Sequence, residues 1–455
     1  MIAHERVGDR MAGPAIRCWE LARVLSRQFS VTLATPGASA IQGESFALLF
    51  YVFDDPDSLA MLERVAREQA DVVISNGHLV MELPFLQDLS VPWVADVYIP
   101  TPVESLAWHA LSDPVQRTKE YEHAWCGTRA VARYADFFLC ASERQRDFWL
   151  GVLAAYGRLR PELYTGDSDL RNLIDVVPFG CPKEPPQPSS VLKGVWPGIG
   201  PRDRVILWGG GVWNWFDPLT LLRAMPQVLA RHPEARLVFL GANHPDSARV
   251  PEMQRAREAR ALSHSLGLEE QFIFWGDWVP YAERGAYLLE ADVGVSLHRT
   301  GIEARLAFRT RLLDSIWAGL PMVLSRGDVL TEEFERLGLG YVVNCGAVDE
   351  VARAINALLD EPDARSTRRA AFDALRQRFS WDRVAEPLVR FCQSPCKGLG
   401  KQDAAVLLDS VAEREKAASR AEIARLREIV HGYESGRLMR ILAALHRLHG
   451  RLQRM

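Results

Sequence analysis

The chain has 455 residues, 48% of them hydrophobic and 25% charged, with a formal net charge of −4. That length exceeds a single core, so two domains and an appendage are expected, and the slight acidity gives no electrostatic ground for a nucleic-acid partner. Seven scattered cysteines (Cys18, Cys126, Cys140, Cys181, Cys345, Cys392 and Cys396) form neither a disulfide framework nor a zinc spacing, and read as a reduced, cytoplasmic set.

Residues 1–3 supply only the last part of a first strand, for which about five residues are usual. A polar loop follows. Gly13 and Pro14 then open a helix over residues 15–28, with Arg17 one turn in. Strand-like runs recur at residues 31–34, 47–53, 72–75, 93–97, 137–140 and 174–177, with helical patterns at 58–69 and 115–134 between them. Such alternation argues for a parallel sheet covered on both faces. Ser142 followed by Gln145 fits a capping box. The run Asp54, Asp55, Pro56, Asp57 contains a D-x-D, but its proline and the helix after it favour a turn and cap over a metal site. Ligands of parallel sheets collect at the carboxyl ends of strands. His78, Asp96 and Tyr98 stand at such ends as site candidates. Asp96 can orient a hydroxyl or take its proton; His78 is either an acid/base group or a plain loop histidine.

Four prolines within residues 182–190 mark a linker. Beyond it the rhythm restarts: a strand at 204–208, then Gly209, Gly210 and Gly211, then Asp217 and Pro218 opening a long helix. Glycines after a strand let a ligand approach the backbone. Trp213 and Trp215 either stack on a sugar ring or pack on the linker. Strands at 237–241, 272–275 and 293–297 continue the sheet, and Trp278 with Val279 follows the second of these.

Residues 296–321, SLHRTGIEARLAFRTRLLDSIWAGLP, combine a strand end, a polar loop and a helix stopped by Gly319 and Pro321. Arg299, Glu303, Arg305, Arg309, Thr310 and Arg311 fall in the loop and first turn. Guanidinium groups and free helix amides both suit a diphosphate, and Asp314 one turn on can accept from ribose hydroxyls. The plainer reading is a basic exposed helix face. A strand at 322–325 and helices at 348–359 and 364–379 follow. Residues 404–430 are charged and helix-prone. Residues 437–455 place leucines on one side and arginines on the other, a pattern that suits an anionic membrane surface, another subunit or the protein's own body. The reading expects no secretory leader and no spanning helix.

The stretch DSIWAGLP at residues 314–321 resembles the E-A-M-A-x-G-x-P motif of family-4 glycosyltransferases of bacterial polysaccharide biosynthesis. This resemblance implies an α/β, GT-B fold: two Rossmann-like doubly wound domains facing across a cleft, plus a helical C-terminal extension. It implies boundaries at 1–181, a linker at 182–200, a donor domain at 201–378, a crossing-back helix at 379–396 and the extension at 397–455. Asp314 takes the place of the family's ribose-binding glutamate. The family's second glutamate falls on Leu306, a departure, with Glu303 the nearest substitute at the donor sugar.

The family's glycine-rich loops correspond to Gly13 and to Gly210 and Gly211, and its base-reading loop to Trp278 and Val279. No basic residue stands between Trp208 and Pro218, so the donor phosphates are expected to fall to Arg305, Arg309, Thr310 and Arg311. The implied activity is sugar transfer with retention from a nucleotide-diphosphate sugar to a hydroxyl of a glycan or lipid-linked acceptor, with Asp96, Glu303 and Arg309 at the reacting groups, His78 and Tyr98 at the acceptor and no obligatory metal or other cofactor. The setting is cytoplasmic, possible contact with the inner membrane face coming through residues 437–455. An epimerase on the same fold and a non-catalytic scaffold are the rivals.

Overall fold

A computed structural model describes residues 1–398 other than 40, 242 and 248, together with residues 417–431, 441, 445 and 449. In the first lobe β1 (Thr32–Pro36) and β2 (Ala47–Tyr51) pair in parallel, and β3 (Val73–Asn76), β4 (Trp93–Asp96), β5 (Phe137–Cys140) and β6 (Ile174–Val176) form a parallel run in chain order. Residues 1–3 stitch the two together. Ile2 bridges Ala34 on one side and Ser75 on the other, its amide donating to the Ile74 carbonyl at 2.8 Å. The short first strand therefore occupies the middle of the sheet.

The second lobe holds β7 (Arg204–Gly209), β8 (Ala235–Leu240), β9 (Ile273–Gly276), β10 (Val293–Ser296), β11 (Met322–Ser325) and β12 (Gly340–Val343). Their spatial order is β9-β8-β7-β10-β11-β12, all parallel. The order reverses between β7 and β10, which is where a doubly wound sheet opens a ligand crevice. Side chains of β7 alternate between two cores, as a period of two requires. Val205 and Leu207 pack with Leu312, Leu313 and Ile316 of the helix Thr310–Ala318. Ile206 and Trp208 pack with Leu221 and Met225 of the helix Pro218–Arg231 and with Ile355 of Val348–Asp360. With both faces covered, the strand reads as a continuous apolar run.

Local signals in the sequence act as expected. Asp217 Oδ1 accepts from Thr220 N at 3.1 Å and Ser142 Oγ from Gln145 N at 3.2 Å, each capping a helix. Asp55 caps its helix in the same way through Asp57 N, so the D-x-D serves a turn. The linker is more than a spacer: Leu192 and Ile199 are buried, and Glu184 accepts a hydrogen bond from Trp317 Nε1 through its carbonyl at 2.6 Å. After Phe379 the chain returns to the first lobe as two short helices, Trp381–Val384 and Glu386–Gln393. There Phe391 stacks on Phe137 with centroids 4.5 Å apart. Gly180 lies flush on the Trp381 ring, where a Cβ would come within 2.6 Å.

Helices Thr101–Trp108, Gln254–Ser265, Ile302–Leu306 and Thr331–Arg336 carry no clear sequence signal; three of them are eight residues or fewer. Residues 400–455 form a separate unit, of which residues 417–431 are helical. Most of the amphipathic pattern at 437–455 falls outside the described residues. Among those described, no helix is long and apolar enough to cross a membrane.

Candidate active site

A cleft of about 680 Å³ lies between the two sheets and is lined from both lobes. Two helices aim their N-termini into it: Gly13–Leu25 from the first lobe and Thr310–Ala318 from the second. Neither cap residue, Ala12 or Arg309, supplies a side-chain hydrogen bond to its first turn, where Ile16 N and Leu312 N donate to the carbonyls of Ala12 and Arg309. The two starts nearly touch. A Cβ added at Gly13 would sit 3.8 Å from Thr310 Cγ2. Converging positive helix ends make this part of the cleft electrostatically suited to an anion.

The floor is glycine. Gly210 has φ +97°, a left-handed conformation that disfavours side chains, and the Gly211 carbonyl accepts from Arg311 Nη2 at 2.7 Å. Gly241 has φ +84° and gives room to Trp278, whose Nε1 donates to the Met11 carbonyl of the opposite lobe at 2.9 Å. Val279 lines the same wall.

The arginines divide. Arg309 is buried, with Nη2 2.9 Å from Glu303 Oε2 and Nε 3.5 Å from Asp328 Oδ2. Burial pushes the Asp328 carboxyl up to about 6. Arg311 lies 4.0 Å above the Phe216 ring, with its buried Nη1 unpartnered. Burial, and then Arg309, pushes Arg311 down to about 9, which leaves it cationic at neutral pH. Arg311 is the one cleft cation in this helix start without a carboxylate ion pair among the described residues. Arg299 and Arg305 are exposed and do not line the cleft, which corrects the expectation for Arg305. It sits on the short helix Ile302–Leu306, whose buried face is Ala304 and Leu306. Leu306, at the family glutamate's place, packs inward and accepts from Gln145 Nε2 of the other lobe at 2.8 Å through its carbonyl.

Asp314 lines the cleft, its side chain 36% exposed, and Oδ1 accepts from Arg284 Nε at 3.2 Å. Arg284 lies against two rings, 3.8 Å from the Tyr281 centroid and 4.5 Å from Trp317.

On the acceptor side Asp96 needs a correction. Both its oxygens are held by Arg17, Nε to Oδ2 at 2.6 Å and Nη2 to Oδ1 at 3.0 Å, and the pair is buried away from the main cleft. A carboxylate so paired is a weaker base, since the guanidinium favours its ionised form. His78 and Tyr98 do line the cleft. Burial pushes His78 down to about 4, so its ring is neutral. The Tyr98 hydroxyl is buried without a partner, its ring under Arg17 at 4.8 Å.

Several lining groups have no sequence signal: Glu5, Glu104, Trp108, Tyr281, Arg284 and Arg249. They are single polar or aromatic residues in loops or in helices too short to register. Burial, and then Glu303 across the cleft, pushes Glu104 up to about 8. Trp213 and Trp215 stack with centroids 5.7 Å apart and meet Trp108 of the first lobe at 5.2 and 5.9 Å, so they pack across the lobes and not on the linker. Among the described residues, no three His, Cys, Asp or Glu side chains converge on a common metal position.

Residues 203–361 match the family model Glycosyl transferases group 1. Over 197 residues the chain is 25% identical to the D-inositol 3-phosphate glycosyltransferase of Rhodococcus jostii (strain RHA1). That match covers 42% of this chain and only 40% of the relative's length. Among solved structures, sucrose-phosphate synthase from Thermosynechococcus elongatus superimposes with a TM-score of 0.60 at 13% identity, covering 86% of this chain and 95% of that one. Anabaena HepE, solved with UDP and glucose, gives 0.59 at 13% identity, covering 86% and 100%. At these identities the likeness shows the fold: the two lobes form a GT-B architecture, and the second is the part that matches the family model.

Proposed function

We propose that the protein transfers a sugar, with retention, from a nucleoside diphosphate sugar to an acceptor hydroxyl in the cleft, and that the acceptor belongs to a surface glycan or its lipid-linked precursor. One observation carries the donor half: the uncapped starts of Gly13–Leu25 and Thr310–Ala318 meet beside Arg311. A diphosphate there satisfies amides that have no internal partner, and gains charge as the sugar departs. The crystallised neighbour holding UDP and glucose supports the same ligand class.

In this reading Arg311 and the two sets of amides stabilise the leaving diphosphate. Arg309, balanced by Glu303 and Asp328, fixes Glu303 at the cleft wall beside the donor sugar. Asp314 holds the ribose hydroxyls, oriented by Arg284. Trp278 and Val279 flank the base. In this reading the electrostatic role falls to Arg311 and the helix amides.

Neutralised Arg309 and the locked Asp96 favour, as a second reading, a nucleotide-binding scaffold without turnover. The test has two stages. Melting is followed with UDP, GDP, ADP and their sugars, since a ligand that binds only the folded state raises the midpoint; the best sugar nucleotide is then assayed for nucleotide release with candidate acceptors. A midpoint unmoved by every nucleotide rejects both readings. A shift without acceptor-dependent release leaves the scaffold.

A further inference from the structure

We propose, on the basis of that transferase reading, that the part of the acceptor entering the first-lobe end of the cleft is a polyhydroxyl unit bearing no phosphate of its own, bound by Glu5, Glu82, His78 and Tyr98. This end lies beyond the glycine floor and is lined by His4, Glu5, His78, Glu82 and Tyr98, with Asp246 and Arg249 reaching it from the second lobe.

Three buried polar atoms on this wall lack a hydrogen-bond partner: Glu5 Oε2, Glu82 Oε2 and the Tyr98 hydroxyl. Buried polar atoms without partners are costly, so their convergence on a cavity points to a ligand that supplies the missing bonds. Two are carboxyl oxygens and one is a phenol, a set matched by hydroxyl groups, which both donate and accept. The imidazoles of His4 and His78 meet edge to face at 4.3 Å, and burial keeps both uncharged. A metal does not account for the group, since no three ligating side chains converge among the described residues.

Charge decides between a free polyol and its phosphate ester. The guanidinium here without a carboxylate ion pair among the described residues is Arg249, which lies 4.2 Å over the Phe53 ring; Arg17, against the Tyr98 ring, is held by Asp96. Against Arg249 stand Glu5, Glu82 and Asp246. Burial first, and Asp246 second, pushes Glu5 up to about 7, which leaves it partly ionised at neutral pH and adds to the repulsion a further anion would meet. A phosphate dianion would enter a pocket where carboxyls outnumber guanidinium, whereas neutral hydroxyls pay no such repulsion. The curated relative is named for a phosphorylated acceptor, D-inositol 3-phosphate; the wall described here is built for the opposite choice.

The test uses the full-length protein, with and without saturating nucleoside diphosphate, and matched pairs: myo-inositol and inositol 3-phosphate, glucose and glucose 6-phosphate, mannose and mannose 6-phosphate. The melting shift is read for each, and acceptor-dependent nucleotide release for any pair that shifts. The proposal expects the free polyol of at least one pair to shift the midpoint and be used at ten-fold or higher kcat/KM over its phosphate. Equal shifts within every pair, no shift at all, or preference for a phosphate overturns it. The variant carrying both Glu5→Gln and Glu82→Gln keeps the hydrogen-bonding shape and removes the charge, so it is expected to narrow the discrimination against the phosphate at least three-fold; an unchanged ratio overturns the charge argument. If no nucleotide binds, the transferase reading itself fails. If a nucleotide binds and the phosphates win, only the acceptor assignment fails.

Discussion

Arg17 and Asp96 form a two-point ion pair in the first lobe, 2.6 and 3.0 Å long, with the guanidinium fully buried and the carboxylate nearly so. Arg17 also donates to the carbonyls of Val177 and Pro178, at 2.8 and 3.0 Å. It thereby ties the helix Gly13–Leu25, the end of β4 and the segment after β6 into one support for the cleft. Removing one partner of such a pair strands the other charge. Asp96→Ala is therefore expected to lower unfolding free energy by about 3–5 kcal/mol in urea titration. Asp96→Asn, which keeps one acceptor oxygen, should lose less and retain nucleotide binding. If Asp96→Ala were as stable as wild type but unable to use acceptor, Asp96 would return to the reaction.

Much of this scaffold could be read in advance. The strands are mostly apolar runs bounded by turns, and β7 through β11 announce themselves because burial on both faces leaves few polar positions, such as Arg236 and Ser296, to blur them. Asp217 and Ser142 gave helix starts because their side chains compete for backbone amides only at caps. The site was less legible. Asp96 stands at a strand end, where reactive carboxylates gather, but its engagement depends on Arg17, 79 residues away. Arg305 and Arg311 look alike in sequence, yet the turn through Phe308 puts one outside and the other over Phe216. Glu104 acquires its character only when Glu303 of the other lobe faces it. Pairings across lobes leave no periodic trace.

Arg311 separates function from stability. Its charge is buried without a carboxylate partner and its Nη1 is unsatisfied. Arg311→Met removes a desolvated charge and keeps much of the volume over Phe216. The ligand-free variant is expected to melt no lower than wild type, since apolar replacements of buried charge are often neutral or stabilising. The midpoint rise given by a nucleoside diphosphate should vanish, and kcat should fall by roughly 10²–10³, the cost of one lost oxyanion donor. A lower ligand-free midpoint with an intact nucleotide shift would make Arg311 a structural residue.

Glu104 predicts a pH dependence. Its carboxyl is raised from 4.5 to about 8 in the folded protein, by burial first and Glu303 second. Between these values the folded state holds a proton that the unfolded state has released, so stability falls as pH rises through this window. Below it both states are protonated and the term vanishes; above it the penalty is complete. Glu104→Gln fixes the neutral form. It should be stabilising relative to wild type at pH 9, by on the order of 1–3 kcal/mol, and close to neutral at pH 4.5. Denaturant midpoints of the two proteins across this range check it; parallel curves would mean that Glu104 is not desolvated.

Asp314 tests the donor site most directly. It is one turn into the helix that meets Gly13, and is steered by Arg284, which two aromatic rings hold in place. In the proposed reading this carboxylate accepts from both hydroxyls of a ribose, and charge-assisted hydrogen bonds are the stronger kind. Asp314→Ala should abolish the melting shift given by the best nucleotide. Asp314→Glu, which restores the residue of the resembled motif, should recover part of it. Asp314 is 36% exposed and Arg284 keeps its bond to the Tyr281 carbonyl, so its loss should cost the ligand-free protein less than the loss of Asp96, and each variant's shift is read from its own ligand-free midpoint. A deoxyribose nucleotide lacking the 2′-hydroxyl should bind wild type more weakly and Asp314→Ala no worse than its ribose counterpart. If the alanine variant still distinguishes the two sugars, the ribose lies elsewhere in the cleft, and the helix start at Thr310 must then be holding something other than a nucleoside diphosphate.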